Sequence, residues 1–201
     1  LVDTAVLGHL SEVSYLAAVA LGSQVVTLLL WSFGFLRMGT TALSAHAIGE
    51  AQRTQQQAQQ QTQHSNGSVR ILHNALLLAL LISMPLMLFA FLTLEHIIAL
   101  MGGSEVIQAL AVEYASIRLY ATPAVLLQYV LIGWFFGRGE TKVPLFLLIA
   151  SNSINALLDV VLVYGYGLNS DGVAWATLCA DYFAASAGLF WAWLSINRCC
   201  I

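Results

Sequence analysis

Two long, uncharged apolar stretches constrain the fold of this chain more than any other feature. One runs between Glu12 and Arg37, and the other runs between Arg70 and Glu95. A helix that crosses the hydrocarbon core of a bilayer needs about 20 mostly apolar residues, and each stretch supplies that length. Within lipid a helix satisfies its own backbone hydrogen bonds. Both stretches therefore predict transmembrane helices.

The composition agrees with this interpretation and excludes other classes of protein. Hydrophobic residues make up 59% of the chain and charged residues 8%, against about 25% charged residues in typical soluble domains. That is too little charge to solvate the surface of a soluble domain, and too much apolar content for a disordered chain. The formal net charge of -3, without a basic face, argues against nucleic acid as a partner. The sequence predicts an all-α polytopic membrane protein that has the lipid bilayer as its environment.

Three further apolar segments, at about 106–136, 142–165 and 172–195, complete the predicted topology. The first of them contains Pro123, where we expect a kink. The first ten residues are too short to span and are interpreted as the end of a helix that begins earlier. The predicted order is a partial helix at 1–10, spans at about 15–47, 69–95, 106–136, 142–165 and 172–195, and a Gln-rich cytoplasmic connector at about 51–68.

The positive charges of the connectors predict the orientation. The connectors around residues 9–14, 102–107 and 164–171 contain no Lys or Arg. Because Lys and Arg collect in short cytoplasmic loops, the side that carries them is predicted to be cytoplasmic, which also places the N-terminus in the cytoplasm. The cations on that side are Arg53, Arg70, Arg138, Lys142 and Arg198.

A polar stripe lies within the span at 142–165. Asn152, Asn155 and Asp159 follow i, i+3, i+7 spacing and so lie on one helical face. An ionisable group within a span is costly unless it is paired or hydrated, so it is a functional candidate. An amide one turn before a carboxylate suits a titrating proton or cation site. The alternative is a purely structural contact between helices, which contributes about 1 kcal/mol per residue.

Other polar residues within the spans occur in pairs at i, i+4 spacing. Tyr114 with Arg118 is one pair, and Thr177 with Asp181 is the other. Asp3 and Arg37 lie in the first two helices. Arg37 and Arg118 are interpreted as structural partners of carboxylates or of carbonyl groups at helix ends, whereas Tyr114 and Thr177, each taken alone, are typical helix-packing residues.

Catalytic and metal-binding motifs are absent from the sequence. The segment from Gly137 to Lys142 lacks the spacing of a phosphate-binding loop, and the five histidines form no HExxH or paired metal motif. No serine lies in a GxSxG turn, and the three cysteines have neither disulfide nor metal-ligand spacing. We therefore predict no catalytic residues, no resident metal and no cofactor, and the protein is not expected to be an enzyme.

Six segments along the chain carry a resemblance to a known family. The clearest is the first-helix segment Val-Asp-Thr-Ala-Val-Leu-Gly-His-Leu, at residues 2–10. The others are Phe-Leu-Arg-Met-Gly-Thr-Thr at 35–41, Gly-Gly-Ser-Glu at 102–105, Gly-Trp at 133–134, Asn-Ala-Leu-Leu-Asp-Val at 155–160 and Gly-Val-Ala-Trp-Ala-Thr at 172–177. Together they resemble the multidrug and toxic compound extrusion (MATE) family, specifically its DinF-like branch, over essentially the whole chain.

The resemblance implies a fold and a function. Family members have two six-helix lobes, so the chain is expected to be an N-terminal lobe with a truncated first helix, lacking its C-terminal partner lobe. The implied protein is a multi-pass antiporter of the bacterial inner membrane that exports lipophilic or cationic small molecules by alternating access. Its energy would come from proton or sodium coupling at one polar site. The residues that match the family's site are Asp3, Tyr114, Asn155, Asp159 and Thr177, and Asn152, Asp181, Arg37 and Arg118 are candidate supporting residues.

Two alternatives to this function are open. A flippase for lipids or lipid-linked oligosaccharides shares the two-lobe architecture, but would be expected to have a strongly basic central cavity. Here the spans contain two cations, Arg37 and Arg118, against four carboxyl groups, which favours cationic or neutral cargo. The second alternative is a non-transporting membrane scaffold or a membrane-embedded enzyme.

Overall fold

The computed structural model describes residues 13–57 and 64–198, and within them the chain is helical, which confirms the predicted all-α class. The α-helices are α1 (Val13–Trp31), α2 (Phe35–Gln57), α3 (His64–Met101), α4 (Glu105–Leu119), α5 (Thr122–Gly137), α6 (Lys142–Asp159) and α7 (Ser170–Arg198). A short π-helical segment, Val160–Gly165, continues α6.

The described helices provide up to five segments able to cross a membrane. Four of them are long and apolar enough by themselves, at Ser14–Arg53, Gly67–Met101, Lys142–Gly165 and Ser170–Arg198. The fifth is the pair α4 and α5, which meet at an angle of 52°. The polytopic membrane class is therefore confirmed. The first segment contains a tight turn at residues 32–34, between α1 and α2.

The expected kink near Pro123 lies at the junction of α4 and α5. Proline occupies the first turn of α5, where its missing N–H costs no helical hydrogen bond. The Thr122 hydroxyl donates to the Leu119 carbonyl oxygen at 2.6 Å. The Tyr182 hydroxyl on α7 donates to the Tyr120 carbonyl oxygen at 3.0 Å. Side chains thus satisfy backbone groups that the break leaves without helical partners.

Glycines allow α2 and α5 to pack backbone against backbone. A Cβ atom at Gly133 would lie 2.5 Å from the Arg37 carbonyl oxygen, and one at Gly137 would lie 2.7 Å from the Thr41 carbonyl oxygen. Between these glycines, Trp134 is fully buried and donates its indole N–H to the Ser68 hydroxyl of α3 at 2.9 Å. These contacts join α2, α3 and α5, in the manner of small-residue interfaces between membrane helices.

The outer surface is apolar rather than charged. Along α3, Leu81, Leu92 and Leu100 are 73%, 71% and 87% exposed. Large apolar surfaces of this kind are rare on soluble monomers, so their solvent here is lipid.

Candidate functional site

Asp159 is the ionisable residue that is most completely enclosed in the described part of the chain. Its relative exposure is 0%. It is the last residue of α6, directly before the π-helical segment, whose wider winding appears in the bond from the Tyr166 N–H to the Val161 carbonyl oxygen at 3.2 Å. Local π-helix is rare and frequently occurs at functional sites. The sequence therefore places a carboxyl group inside the bundle, at a point where the helix changes form.

Asn155 lies one turn before Asp159 and connects α6 to α7. Its side-chain N–H donates to the Thr177 hydroxyl oxygen at 3.0 Å. The Thr177 hydroxyl in turn donates to the Val173 carbonyl oxygen at 2.9 Å. Two of the residues selected from sequence are thus in direct contact. The bond uses one of the two N–H donors of the Asn155 amide, and the amide oxygen is a separate hydrogen-bond acceptor.

Tyr114 approaches the same region from α4. It is 2% exposed and belongs to a buried cluster with Val163 and Val173. Val163 follows Asp159 by one helical turn, and Val173 precedes Thr177 by one turn. A Cβ atom at Gly22 of α1 would lie 2.8 Å from a ring carbon of Tyr114, so the glycine allows α1 to approach this ring closely.

Asp3, the remaining member of the predicted coupling set, lies outside the described residues. Its role, and the ion-coupling roles of Tyr114, Asn155, Asp159 and Thr177, stay predictions. The geometry brings Asn155 and Thr177 into contact and places Tyr114 in the adjoining apolar cluster.

Arg118 and Asp181 form an ion pair within the bundle. The Arg118 Nη1 atom lies 2.8 Å from the Asp181 Oδ2 atom, and the two side chains are 14% and 17% exposed. Arg118 thus lies against a carboxylate, and its role as a supporting residue of the site stays a prediction. Arg37, expected to be the partner of a carboxylate or of carbonyl groups at a helix end, is exposed and makes no ion pair with any side chain of the described ranges.

A cavity of about 200 Å³ lies between α5, α6 and α7, one turn away from the contact of Asn155 with Thr177. Asn152 and Asp181 line it, together with Gln128 and Ser151. Gln128 and Ser151 were not among the predicted site residues, because neither side chain is ionisable. An uncharged polar residue inside the apolar α5 segment was the signal that could have identified Gln128.

Within residues 13–57 and 64–198, the His, Cys, Asp and Glu side chains form no group of three or more that could hold a metal ion.

The chain is similar to known proteins in sequence and in structure. The family model named MatE matches residues 1–161. The DNA damage-inducible protein F of Escherichia coli (strain K12) is 38% identical over 94% of this chain and 39% of its own length. An inward-facing structure described as a multidrug resistance MATE family transporter of the MOP superfamily superposes with a TM-score of 0.80 at 21% identity, covering 94% of this chain and 40% of that one.

An outward-facing structure of the same description superposes with a TM-score of 0.81 at 21% identity, covering 96% of this chain and 40% of that one. The chain therefore spans about 40% of the length of the proteins that it matches.

Proposed function

Because the chain belongs to the MatE family of multidrug transporters, we propose that it is the N-terminal lobe of an ion-coupled exporter of lipophilic or cationic small molecules. Its partners would be the small-molecule cargo, the bilayer and the C-terminal lobe of the same protein. The proposed location is a bacterial inner membrane, with the N-terminus in the cytoplasm. Proton or sodium would be the coupling ion, and no other cofactor is required.

The single observation that carries the coupling proposal is the burial of Asp159. Its carboxyl group is fully enclosed, and charging such a group in a low-dielectric environment costs free energy unless nearby groups stabilise the charge. Binding a proton or a sodium ion would therefore change the balance of charge inside the lobe. Asn155, one turn away, offers an amide oxygen for either ion, and Thr177 fixes the position of that amide.

Alternating access follows when this change of charge favours one arrangement of the two lobes over the other. The described lobe superposes equally well on an inward-facing and an outward-facing transporter, with TM-scores of 0.80 and 0.81. This supports a mechanism in which the lobe largely keeps its internal structure and moves as a unit against its partner lobe. In such a mechanism, cargo and coupling ion stabilise different arrangements.

The alternatives have less support. A flippase is not favoured, because the matched structures include transporters described as multidrug resistance proteins and the lobe carries few cations within its spans. A membrane scaffold would not need a fully buried aspartate beside a bridging amide. A membrane-embedded enzyme has no catalytic motif in its favour.

The test is the substitution Asp159→Asn in the full-length protein that contains this lobe. Asn has nearly the same shape but cannot exchange a proton, and it is a weaker cation ligand than a carboxylate. We expect efflux driven by an imposed proton or sodium gradient in vesicles to be lost, while the yield of folded protein is kept. The matched control is Glu105→Gln, the same acid-to-amide change at an exposed position. Wild-type transport per folded molecule by Asp159→Asn would exclude the coupling role.

A further inference from the structure

Two basic residues lie at the same end of the neighbouring helices α6 and α7. Lys142 is the first residue of α6 and Arg198 is the last residue of α7, so each stands at the boundary of a membrane-crossing segment. Both are exposed. Within the described part of the chain, neither forms an ion pair with an acidic side chain. The carboxylate nearest in sequence to Lys142, that of Glu140, is already bound by Arg138 at 2.9 Å.

A ring contact between α6 and α7 fixes the depth of these two cations. Residues early in α6 contact residues late in α7, so the two helices are antiparallel. The ring centroids of Phe146 and Trp191 lie 5.6 Å apart. Lys142 precedes Phe146 by four residues and Arg198 follows Trp191 by seven. At about 1.5 Å per residue, the two cations lie about 6 Å and about 10 Å beyond the ring contact, a difference that their long side chains can bridge.

Helical periodicity also places the two cations on one side of the α6 and α7 pair. Residues four apart share a face of a helix, so Lys142 lies on the face of Phe146. Residues seven apart nearly share a face, so Arg198 lies on the face of Trp191. Because the two rings are in contact, Lys142 and Arg198 extend from the same side of the pair.

The surface beside the ring contact is aromatic and open to the bilayer. Phe146 is 54% exposed and Trp193 is 57% exposed. The ring of Trp193 stacks on that of Phe190, with the centroids 6.2 Å apart. Trp is enriched where the hydrocarbon of a membrane meets the headgroups. Apolar rings therefore lie toward the hydrocarbon, and the two cations lie at the level of the headgroups.

We propose that Lys142 and Arg198 together bind the phosphate of an anionic phospholipid, whose acyl chains lie along the aromatic surface of α6 and α7. The Arg198 guanidinium can donate two parallel hydrogen bonds to phosphate, and the Lys142 ammonium adds a compact positive charge. Basic sites between membrane helices suit anionic headgroups. A zwitterionic lipid has the same phosphate but also a cationic group, which the two basic residues repel. This binding site goes beyond the proposed export function and does not depend on it.

Two other occupants of this surface fit less well. A soluble phosphate would satisfy the cations but would leave the exposed rings without a partner. The C-terminal lobe would have to place acidic groups against two cations at the edge of the bilayer. An anionic phospholipid supplies both the negative charge and the hydrocarbon.

The experiment measures lipid binding to the purified full-length protein that contains this lobe. Native mass spectrometry of the detergent-solubilised protein is titrated with phosphatidylglycerol or with phosphatidylcholine of the same acyl chains. The main variant is Lys142→Gln with Arg198→Gln. The matched control is Arg53→Gln with Arg70→Gln, which removes two exposed cations from α2 and α3. The variant Lys142→Arg with wild-type Arg198 keeps both charges.

We expect the main variant to weaken phosphatidylglycerol binding roughly tenfold to thirtyfold, as for two basic residues at an anionic lipid surface. Phosphatidylcholine binding should change less than twofold, which also shows that the variant is folded. The control pair and Lys142→Arg should bind phosphatidylglycerol within about twofold of the wild type, on the same scale of charge contributions. Soluble glycerol phosphate, which has the charge without acyl chains, should not displace the lipid at equal concentration.

Unchanged phosphatidylglycerol binding by the main variant would overturn the proposal. Equal weakening of both lipids would overturn it as well, because it would indicate a change of shape rather than the loss of a phosphate contact. An equal loss in the control pair would show general attraction between charges instead of a site. Displacement by glycerol phosphate would exclude the role of the aromatic surface. The measurement uses neither cargo nor an ion gradient, so its outcome is separate from that of Asp159→Asn.

Discussion

The guanidinium group of Arg118 lies 2.8 Å from the carboxylate of Asp181 and joins the end of α4 to the middle of α7. Arg118 stands directly before the break between α4 and α5, and the neighbouring Tyr182 hydroxyl binds the Tyr120 carbonyl oxygen within that break. Each charge by itself would be costly at membrane depth. Paired, they hold the bent span against α7.

Removing one member of this pair is expected to destabilise the lobe more than removing both. Arg118→Met leaves the Asp181 carboxylate without its counter-charge. We expect a loss of about 2–4 kcal/mol in the free energy of unfolding, toward the lower end of the range for broken buried pairs because both side chains keep some exposure. The double variant Arg118→Met with Asp181→Leu should recover at least half of that loss. The measurement is reversible unfolding in mixed detergent micelles.

Asp181→Leu alone completes the double-mutant cycle. A double variant as unstable as the sum of the two single variants would show that the two charges do not interact.

The close packing of α2 on α5 makes a second prediction. Gly133→Ala would place a Cβ atom 2.5 Å from the Arg37 carbonyl oxygen, and backbone cannot move aside as a flexible side chain can. We expect a loss of about 1–3 kcal/mol in stability, the usual cost of overpacking. The matched control is Gly39→Ala on α2, where a Cβ atom has nothing within 4 Å. That control should be neutral or slightly stabilising, since alanine favours helix. Similar effects at both positions would contradict the packing argument.

The fold was predictable from the sequence because lipid imposes simple rules on length and polarity. The uncharged run after Arg70 became α3, and Pro123 marked the junction of α4 and α5. The turn at residues 32–34 between α1 and α2 was not foreseen. A short break with Gly34 leaves the apolar run uninterrupted, so hydropathy does not reveal it.

The site was predictable only in part. Spacing along α6 placed Asn155 and Asp159 on one face, but the partner of Asn155 depends on how α6 lies against α7. The pairing of Arg118 with Asp181 joins residues that are distant in sequence, and helical periodicity says nothing about such contacts. Gln128 and Ser151 carry no charge. A glutamine inside the apolar α5 segment is a signal in the sequence, but only the packing of α5, α6 and α7 shows that it lines a cavity.

The orientation in the membrane is a third prediction, and it follows from the distribution of Lys and Arg. In a cysteine-free background, the variant Tyr166→Cys should react with a membrane-impermeant reagent added outside intact cells. The variant Thr141→Cys should react only after the cells are opened. Tyr166 is 76% exposed and Thr141 is also exposed, so burial does not limit either reaction. The reverse labelling pattern would overturn the cytoplasmic assignment of the N-terminus.

The contact between Asn155 and Thr177 leads to the last prediction. The Thr177 hydroxyl accepts a hydrogen bond from Asn155 and donates one to the Val173 carbonyl oxygen. Thr177→Val keeps the shape but removes both bonds, so the Asn155 amide loses its fixed orientation. We expect gradient-driven efflux per folded protein to fall roughly threefold to tenfold, the equivalent of one neutral hydrogen bond.

Thr177→Ser is the matched control, because it keeps the hydroxyl and loses only a methyl group. It should retain most of the efflux, whereas a purely packing role would make the loss of the methyl group the more damaging change.

The distinguishing readout is how strongly efflux depends on the imposed gradient. If Thr177 orients the coupling site, Thr177→Val lowers the efflux gained per unit of gradient while cargo binding measured without a gradient stays at the wild-type level. If Thr177→Val instead lowers cargo binding and leaves the gradient dependence unchanged, the hydroxyl belongs to cargo recognition and the coupling assignment of Thr177 is wrong.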